Sequence, residues 1–294
     1  MNNQTVPHQP VMAKEVLEWF GQGQKIIDAT LGFGGHTLLL LQKGCEVLGV
    51  EADVQTLQYA KESIASAKLD EHFKAVHGNF AKLDEIAQEM KFTEVDGVLF
   101  DLGINSFQLD RSGRGLSFRA ETEVLDMRLN EIQSVKASDL IAALDKKNLE
   151  RLFGAVLTKN LARRLAEGIS NYKVNRKIEL VADLTAVCRE VFGRLSDQIM
   201  PKVFLALRMA VNEELPNLTT ALPKAFDLLK TGGRLVVISF HSTEDRVVKT
   251  VFGELVKNQQ AANLTDSGLV PQITEIEINP RARSARMRVV EKNA

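Results

Sequence analysis

From Lys25 to Asp101 the apolar positions keep switching between two rhythms. KIIDA, EVLGV, FKAVHGNF and VDGVLFD are short apolar runs that read as strands. Between them lie the apolar patch Leu38 to Leu41 and the segments VQTLQYAKESIASA and LDEIAQEM, with apolar residues at helical spacing. Strands alternating with helices predict an α/β fold around a parallel sheet. Ahead of them, Val16, Leu17 and Phe20 follow Pro10 at helical spacing and predict a helix covering the sheet edge. A fifth strand, RLVVISF, is announced by KTGG and preceded by the helical pattern LTTALPKAFDLL.

The chain between Asp101 and Arg234 is far longer than one crossover needs, so a unit is inserted there. Its first part, GINSFQLDRSGRGLSFRAETEVLDMRLN, has no clean periodicity and reads as a long ordered, functional loop. ASDLIAALDKKNLERLF, NLARRLAEGI and LVADLTAVCREVF then predict a small helical subdomain that returns at VFLALRMAVNEEL. The resulting division is residues 1–108 with 208–294 as one discontinuous domain and 109–207 as the insertion. Past the fifth strand, ITEIEI and RMRVVE flank NPRARSA, which predicts a terminal antiparallel hairpin around a basic turn holding Arg281, Arg283, Arg286 and Arg288.

Candidate chemistry gathers at the strand ends. Gly32, Gly34 and Gly35 form a turn that lets the backbone approach a ligand, and a parallel strand pair brings that turn and Glu51 to one sheet edge. Glu51 can accept hydrogen bonds from both hydroxyls of a ribose. His36 and Thr37 stand where a dinucleotide fingerprint continues toward its third glycine, which weakens a pyrophosphate reading; S-adenosylmethionine has an adenosine but no phosphate. An ordinary glycine turn between strand and helix is the plain alternative. Asn79, Phe80 and Asp101 at the ends of the third and fourth strands add an aromatic face and a second acid.

Composition narrows this further. The chain has 294 residues, 45% hydrophobic and 26% charged, enough for one sizeable core and a second unit. It has no apolar run of membrane-spanning length, and MNNQTVPHQP lacks a signal peptide's basic start and apolar core, so a cytoplasmic location is expected. Cys45 and Cys188 read as buried free thiols. His8, His36, His72, His77 and His241 have no ligand spacing, and no metal is expected. With a net charge of -1, any RNA contact has to be local.

The motifs HQPVM, DATLGFGGHT, FDLGINSFQLD, RGLSFR, LDMR, ALRMAVNEEL, GGRLVVISFHSTEDRVVK and NPRARSARMRV, in order from His8 to about Val290, resemble the RsmH (MraW) family of bacterial small-subunit ribosomal RNA cytosine N4-methyltransferases. The resemblance implies a class I Rossmann-like S-adenosylmethionine-dependent methyltransferase sheet with a helical substrate-recognition domain inserted between strands four and five. It implies N4-methylation of a cytosine in the decoding region of 16S rRNA, with small-subunit rRNA or the assembled small ribosomal subunit as partner; a homodimer is left open. Cofactor contacts carried over by motif fall on Gly34, Gly35, His36, Glu51, Phe80, Asp101 and Gln108. Glu51 stands where the family usually has Asp, and Asp53 is a rival ribose partner. Asn105 and Phe107 stand where Ser and Pro are common, Thr243 replaces a usual Leu, and residues 151–159 depart from the pattern.

A cytosine amine is a poor nucleophile because its lone pair is delocalised into the ring. An enzyme must hold its hydrogens with acceptors, here Asp101, Asn105 or nearby carbonyls, while a flipped base stacks on Phe107. Asn105 and Phe107 equally fit a role in shaping the loop. Arg114, Arg119, Arg128, His241, Arg246, Arg281, Arg283 and Arg286 are candidate RNA contacts, with loop 111–128 and turn 281–288 expected to meet as a positive rim. His241 with Asp245 either orients the substrate or holds the loop after the fifth strand. Two other classes stay open: a methyltransferase of a small molecule or protein, and a non-catalytic ribosome-assembly factor that binds RNA.

Overall fold

The computed structural model describes residues 10–294, so His8 and Gln9 of the HQPVM motif lie outside the described residues, as does the side chain of Arg111. The elements run α1 (Ala13–Trp19), β1 (Lys25–Asp28), α2 (Gly35–Gln42), β2 (Glu46–Glu51), α3 (Val54–Ser66), β3 (Phe73–His77), α4 (Leu83–Glu89) and β4 (Val95–Asp101). Then come α5 (Ser106–Arg111), α6 (Ala137–Ala143), α7 (Lys146–Phe153), α8 (Lys159–Tyr172), α9 (Val181–Phe192) and α10 (Ser196–Val211). The chain closes with α11 (Glu214–Asp227), β5 (Leu229–Ser239), α12 (Ser242–Lys257), β6 (Ala261–Asn263), α13 (Ile273–Ile278) and β7 (Arg286–Lys292). They form two compact units, one ending at Gly103 and resuming at Leu215–Ala294, the other Ile104–Glu214.

The first unit is a seven-stranded sheet in the order β3-β2-β1-β4-β5-β7-β6. Strands β1 to β5 are parallel; β7 runs antiparallel to β5, and β6 antiparallel to β7. The expected α/β class with a parallel sheet is therefore present. Neighbouring strand residues feed two cores. Ile27, Leu48, Val98, Phe100 and Val237 pack with α4, α11 and α12 on one face. Ile26, Val47, Leu99, Val236 and Met287 pack with α1, α2 and Ile64 of α3 on the other. Burial on both faces is why these strands read as continuous apolar runs.

Two sequence expectations need correction. Helix α1 lies on a face of the sheet instead of covering its edge: Val16 and Phe20 join the core of Ile26 and Leu99, and Phe20 fills the space over Gly97 of the central strand β4. ITEIEI is helix α13 and not a hairpin strand. Both edges of β7 are already taken by β5 and β6, so no ladder is left for it, and Ile273 and Ile278 stand exposed.

The second unit is helical, with one core built from residues such as Leu125, Ile141, Phe153, Leu165, Leu184 and Phe204. Its irregular stretch 112–136 is tied from within: Gly115, at φ 66, donates to Glu123 Oε2 at 2.7 Å, and Asn212 donates to the Met127 carbonyl and accepts from Leu129 N, both at 2.8 Å. Among the described residues no helix is long and apolar enough to cross a membrane.

Candidate functional site

In the first unit the sheet order reverses between β1 and β4, and ligands of such sheets bind outside the carboxyl ends at that point. Two left-handed glycines, Gly32 (φ 54) and Gly34 (φ 79), shape the turn after β1. They differ in what a side chain there would meet. A Cβ on Gly34 would face Ile64 at 3.3 Å and one on Gly35 would face Pro10 at 3.3 Å, whereas on Gly32, among the described residues beyond its chain neighbours, the nearest atom is the Thr30 carbonyl at 3.8 Å. Of the three glycines, Gly32 is therefore the one with room in front of the backbone. In the sequence all three glycines permit close approach, with Gly34 and Gly35 inside the contact set and Gly32 outside it; the space in front of Gly32 belongs to the packed turn and is absent from the letter G.

Below the turn, buried polar groups tie β1 to β4. Asp28 Oδ2 accepts from the Thr37 hydroxyl at 2.7 Å and Oδ1 from Thr30 N at 3.2 Å, while Thr30 Oγ1 accepts from Asp101 N at 2.6 Å. Burial pushes Asp28 above the ordinary carboxylate range against the pull of Thr37 and His36. His36, also buried, has Nε2 3.4 Å from Asp101 Oδ2. Burial alone would lower this imidazole, but Asp101, Asp28 and Glu275 together hold it above the usual histidine value. Among the described residues neither His36 ring nitrogen nor Asp101 Oδ1 has a hydrogen-bond partner, although all three atoms are buried. Buried polar atoms left unpaired cost about 1–3 kcal/mol each, a cost that a ligand or an ordered water relieves.

Glu51 ends β2 and reaches back to the turn. Its Oε2 accepts from Gly32 N and its Oε1 from Asp53 N, both at 2.9 Å. Burial pushes the carboxyl up to about 7 despite these two donors. The rival acid Asp53 is the N-cap of α3, accepting from Gln55 N at 3.0 Å. Phe80 stands beyond Asn79, whose side chain accepts from Ala81 N. The Phe80 ring meets Phe100 edge-on at 5.6 Å, so part of it is core.

The remaining expected residues have partners that sequence could not name. In the second unit Asn105 and Gln108 form a reciprocal cap on α5: Asn105 Oδ1 accepts from Gln108 N at 2.8 Å and Gln108 Oε1 from Asn105 N at 3.1 Å. Arg114 is buried and donates to the Leu129 carbonyl and Glu131, and Arg128 grips Asp126 at 2.7 and 2.8 Å and donates to the Gln133 carbonyl. Both guanidinium groups therefore hold the loop. Arg119 is exposed, 5.7 Å over the Phe118 ring.

In the first unit His241 caps α12, with Nδ1 accepting from Glu244 N at 3.3 Å. Its partner is Glu244 and not Asp245, whose carboxylate takes a two-point grip from buried Arg288 at 2.6 and 3.1 Å. Arg288 thus leaves the expected basic run. Arg286 donates to the Ser267 carbonyl at 2.6 Å, while Arg246, Arg281 and Arg283 are exposed. Arg246 lines a surface hollow of about 410 Å³ with Ser242, Asp245, Lys249 and Thr250. The segments 112–128 and 281–288 belong to different units.

Known proteins align with this chain from end to end. The model of the MraW methylase family matches residues 5–293. The ribosomal RNA small subunit methyltransferase H of Persephonella marina is 37% identical over 297 residues, covering 98% of this chain and 99% of the relative. The protein of that name from Dictyoglomus thermophilum is 37% identical over 290 residues, covering 97% and 96%, and that from Geobacter sulfurreducens 36% over 312 residues, covering 98% and 99%. A match that takes in the glycine turn, Glu51, Asp101 and the whole helical unit alike makes this chain a member of the MraW methylase family.

Proposed function

We propose that this chain is an S-adenosylmethionine-dependent methyltransferase of small-subunit ribosomal RNA and that it modifies the exocyclic amine of a cytosine, in the cytoplasm. The observation that carries the reading is the buried His36–Asp101 pair at the β1–β4 reversal, whose His36 Nδ1 and Asp101 Oδ1 have no hydrogen bond among the described residues, beside the open side of Gly32. These features fit S-adenosylmethionine, which supplies an electrophilic methyl group when bound. Gly32 leaves room at the strand end for a ligand's chain. Each Glu51 oxygen keeps a lone pair beyond its backbone bond for a ribose hydroxyl. Asp101 Oδ1 is a buried acceptor awaiting an N–H, and holding a cytosine amine by its hydrogens returns electron density to the nitrogen. Phe80 remains a candidate for a cofactor contact, and the exposed arginines 119, 246, 281 and 283 for phosphate contacts.

The deciding experiment is mass-spectrometric nucleoside analysis of small-subunit rRNA from cells with and without the protein. N4-methylcytidine should disappear on deletion and return with the wild-type chain but not with Asp101→Ala; an unchanged nucleoside profile overturns the proposal. Titration with S-adenosylhomocysteine tests the assembly-factor alternative, which requires no binding.

A further inference from the structure

The basic turn at 281–288 is short, and it loses Arg288 to an internal pair. A larger positive concentration lies in the helical unit. Residues 146–177 hold nine lysines and arginines against two acids, Glu150 and Glu167, in a chain whose total charge is -1. Some of these cations are occupied within the unit. Lys146 pairs with Glu167 at 3.4 Å, Lys173 donates to the Ile141 and Leu144 carbonyls, and Arg164 bonds the Val191 carbonyl and lies over the Phe192 ring.

Four others are different. Lys147 and Arg151 on α7, and Lys159 and Arg163 on α8, are exposed, and their side chains have no hydrogen bond or ion pair among the described residues. Each pair is spaced i,i+4, the spacing at which like charges repel by a few tenths of a kcal/mol. Leu149 and Phe153 of α7 and Ala162, Leu165 and Ile169 of α8 turn into the unit's core, so neither helix can roll its charges away. Helices α7 and α8 pack against each other, and the Lys146–Glu167 pair links their solvent sides. Glu150 and Glu167 are the segment's only acids, so a positive excess remains on this helix pair, and a polyanion relieves it by releasing its condensed counterions on contact.

We propose that this α7–α8 surface, carried by Lys147, Arg151, Lys159 and Arg163, is a sequence-independent contact for the phosphate backbone of the RNA substrate. It rests on the reading of the substrate as RNA and adds a binding surface to it. The surface supplies affinity and leaves the chemistry to the first unit.

The test replaces all four residues with Gln and measures binding to small-subunit rRNA, purified from cells lacking the protein, across salt concentrations. Four lost phosphate contacts should make the slope of log affinity against log salt shallower by about 3. KM for the RNA should rise while kcat and S-adenosylhomocysteine affinity stay at wild-type values. An unchanged slope with unchanged KM overturns the proposal, including the case in which the surface serves an acidic protein instead. Should the fourfold variant melt early, the pair Arg151→Gln and Arg163→Gln is expected to show half the change in slope, and no change there is equally decisive. A wild-type chain that transfers no methyl group to this RNA would count against the function proposed above; one that does, paired with variants of wild-type slope, counts only against the surface.

Discussion

Glu51 offers the sharpest physical test because one carboxylate is asked to do two things. It holds the glycine turn through Gly32 N and the start of α3 through Asp53 N, yet burial raises it from 4.5 to about 7. A gap of about 2.5 units corresponds to roughly 3 kcal/mol at 1.36 kcal/mol per unit, and a partial opening to solvent makes that a ceiling. The sign follows from proton counts. Between pH 4.5 and 7 the folded carboxyl keeps a proton that the unfolded chain releases, so this group lowers stability as pH rises through that window and adds no further change above it. Glu51→Gln removes the titration. It also turns an amide NH2 toward a backbone donor, a pH-independent loss of about 1–3 kcal/mol.

Urea unfolding of both proteins from pH 4.5 to 8 separates the two effects. Asp28 and His36 titrate in both and cancel in the difference, which should shift by up to about 3 kcal/mol in favour of the variant as pH rises. S-adenosylhomocysteine affinity should improve through pH 7 for wild type, as the stronger ionised acceptor forms, and stay flat for the variant. A stability difference that is constant with pH would refute the claim that burial raises this carboxyl.

Other outcomes follow from the same geometry. Gly32→Ala should cost about 1–2 kcal/mol for its left-handed angle and, by placing a methyl group in the open space, weaken S-adenosylhomocysteine at least tenfold in calorimetry; Gly35→Ala, facing Pro10, should affect it far less. Gly97→Ala would push a methyl into the Phe20 ring and should lower stability by about 1–3 kcal/mol in thermal melts, whereas an unchanged midpoint would show that α1 yields. Asp245→Ala strands the buried Arg288 guanidinium at a cost of about 3–5 kcal/mol, and adding Arg288→Met should recover part of it in denaturant titrations.

What the sequence determined by itself is the class of fold and the chemistry of the strand ends. Parallel strands buried on both faces have to be apolar throughout, so β1 to β5 stand out in composition, and Gly32 to His36, Glu51 and Asp101 stand out as the polar residues closing those runs. The family motifs were legible for the same reason, being strings of residue types. Tertiary structure alone decided everything that depends on a distant partner. ITEIEI alternates well enough for a strand, but the edges of β7 were already occupied, so it became α13. Among four neighbouring arginines, only the fold turns Arg288 inward onto Asp245. The charge excess of 146–177 can be counted from the letters, yet which cations remain uncompensated depends on how α7 and α8 bury their apolar sides. Which glycine has open space before it is likewise a property of the packed turn: residue type sets the conformations a position permits, and the surrounding atoms decide which one it takes and what it faces.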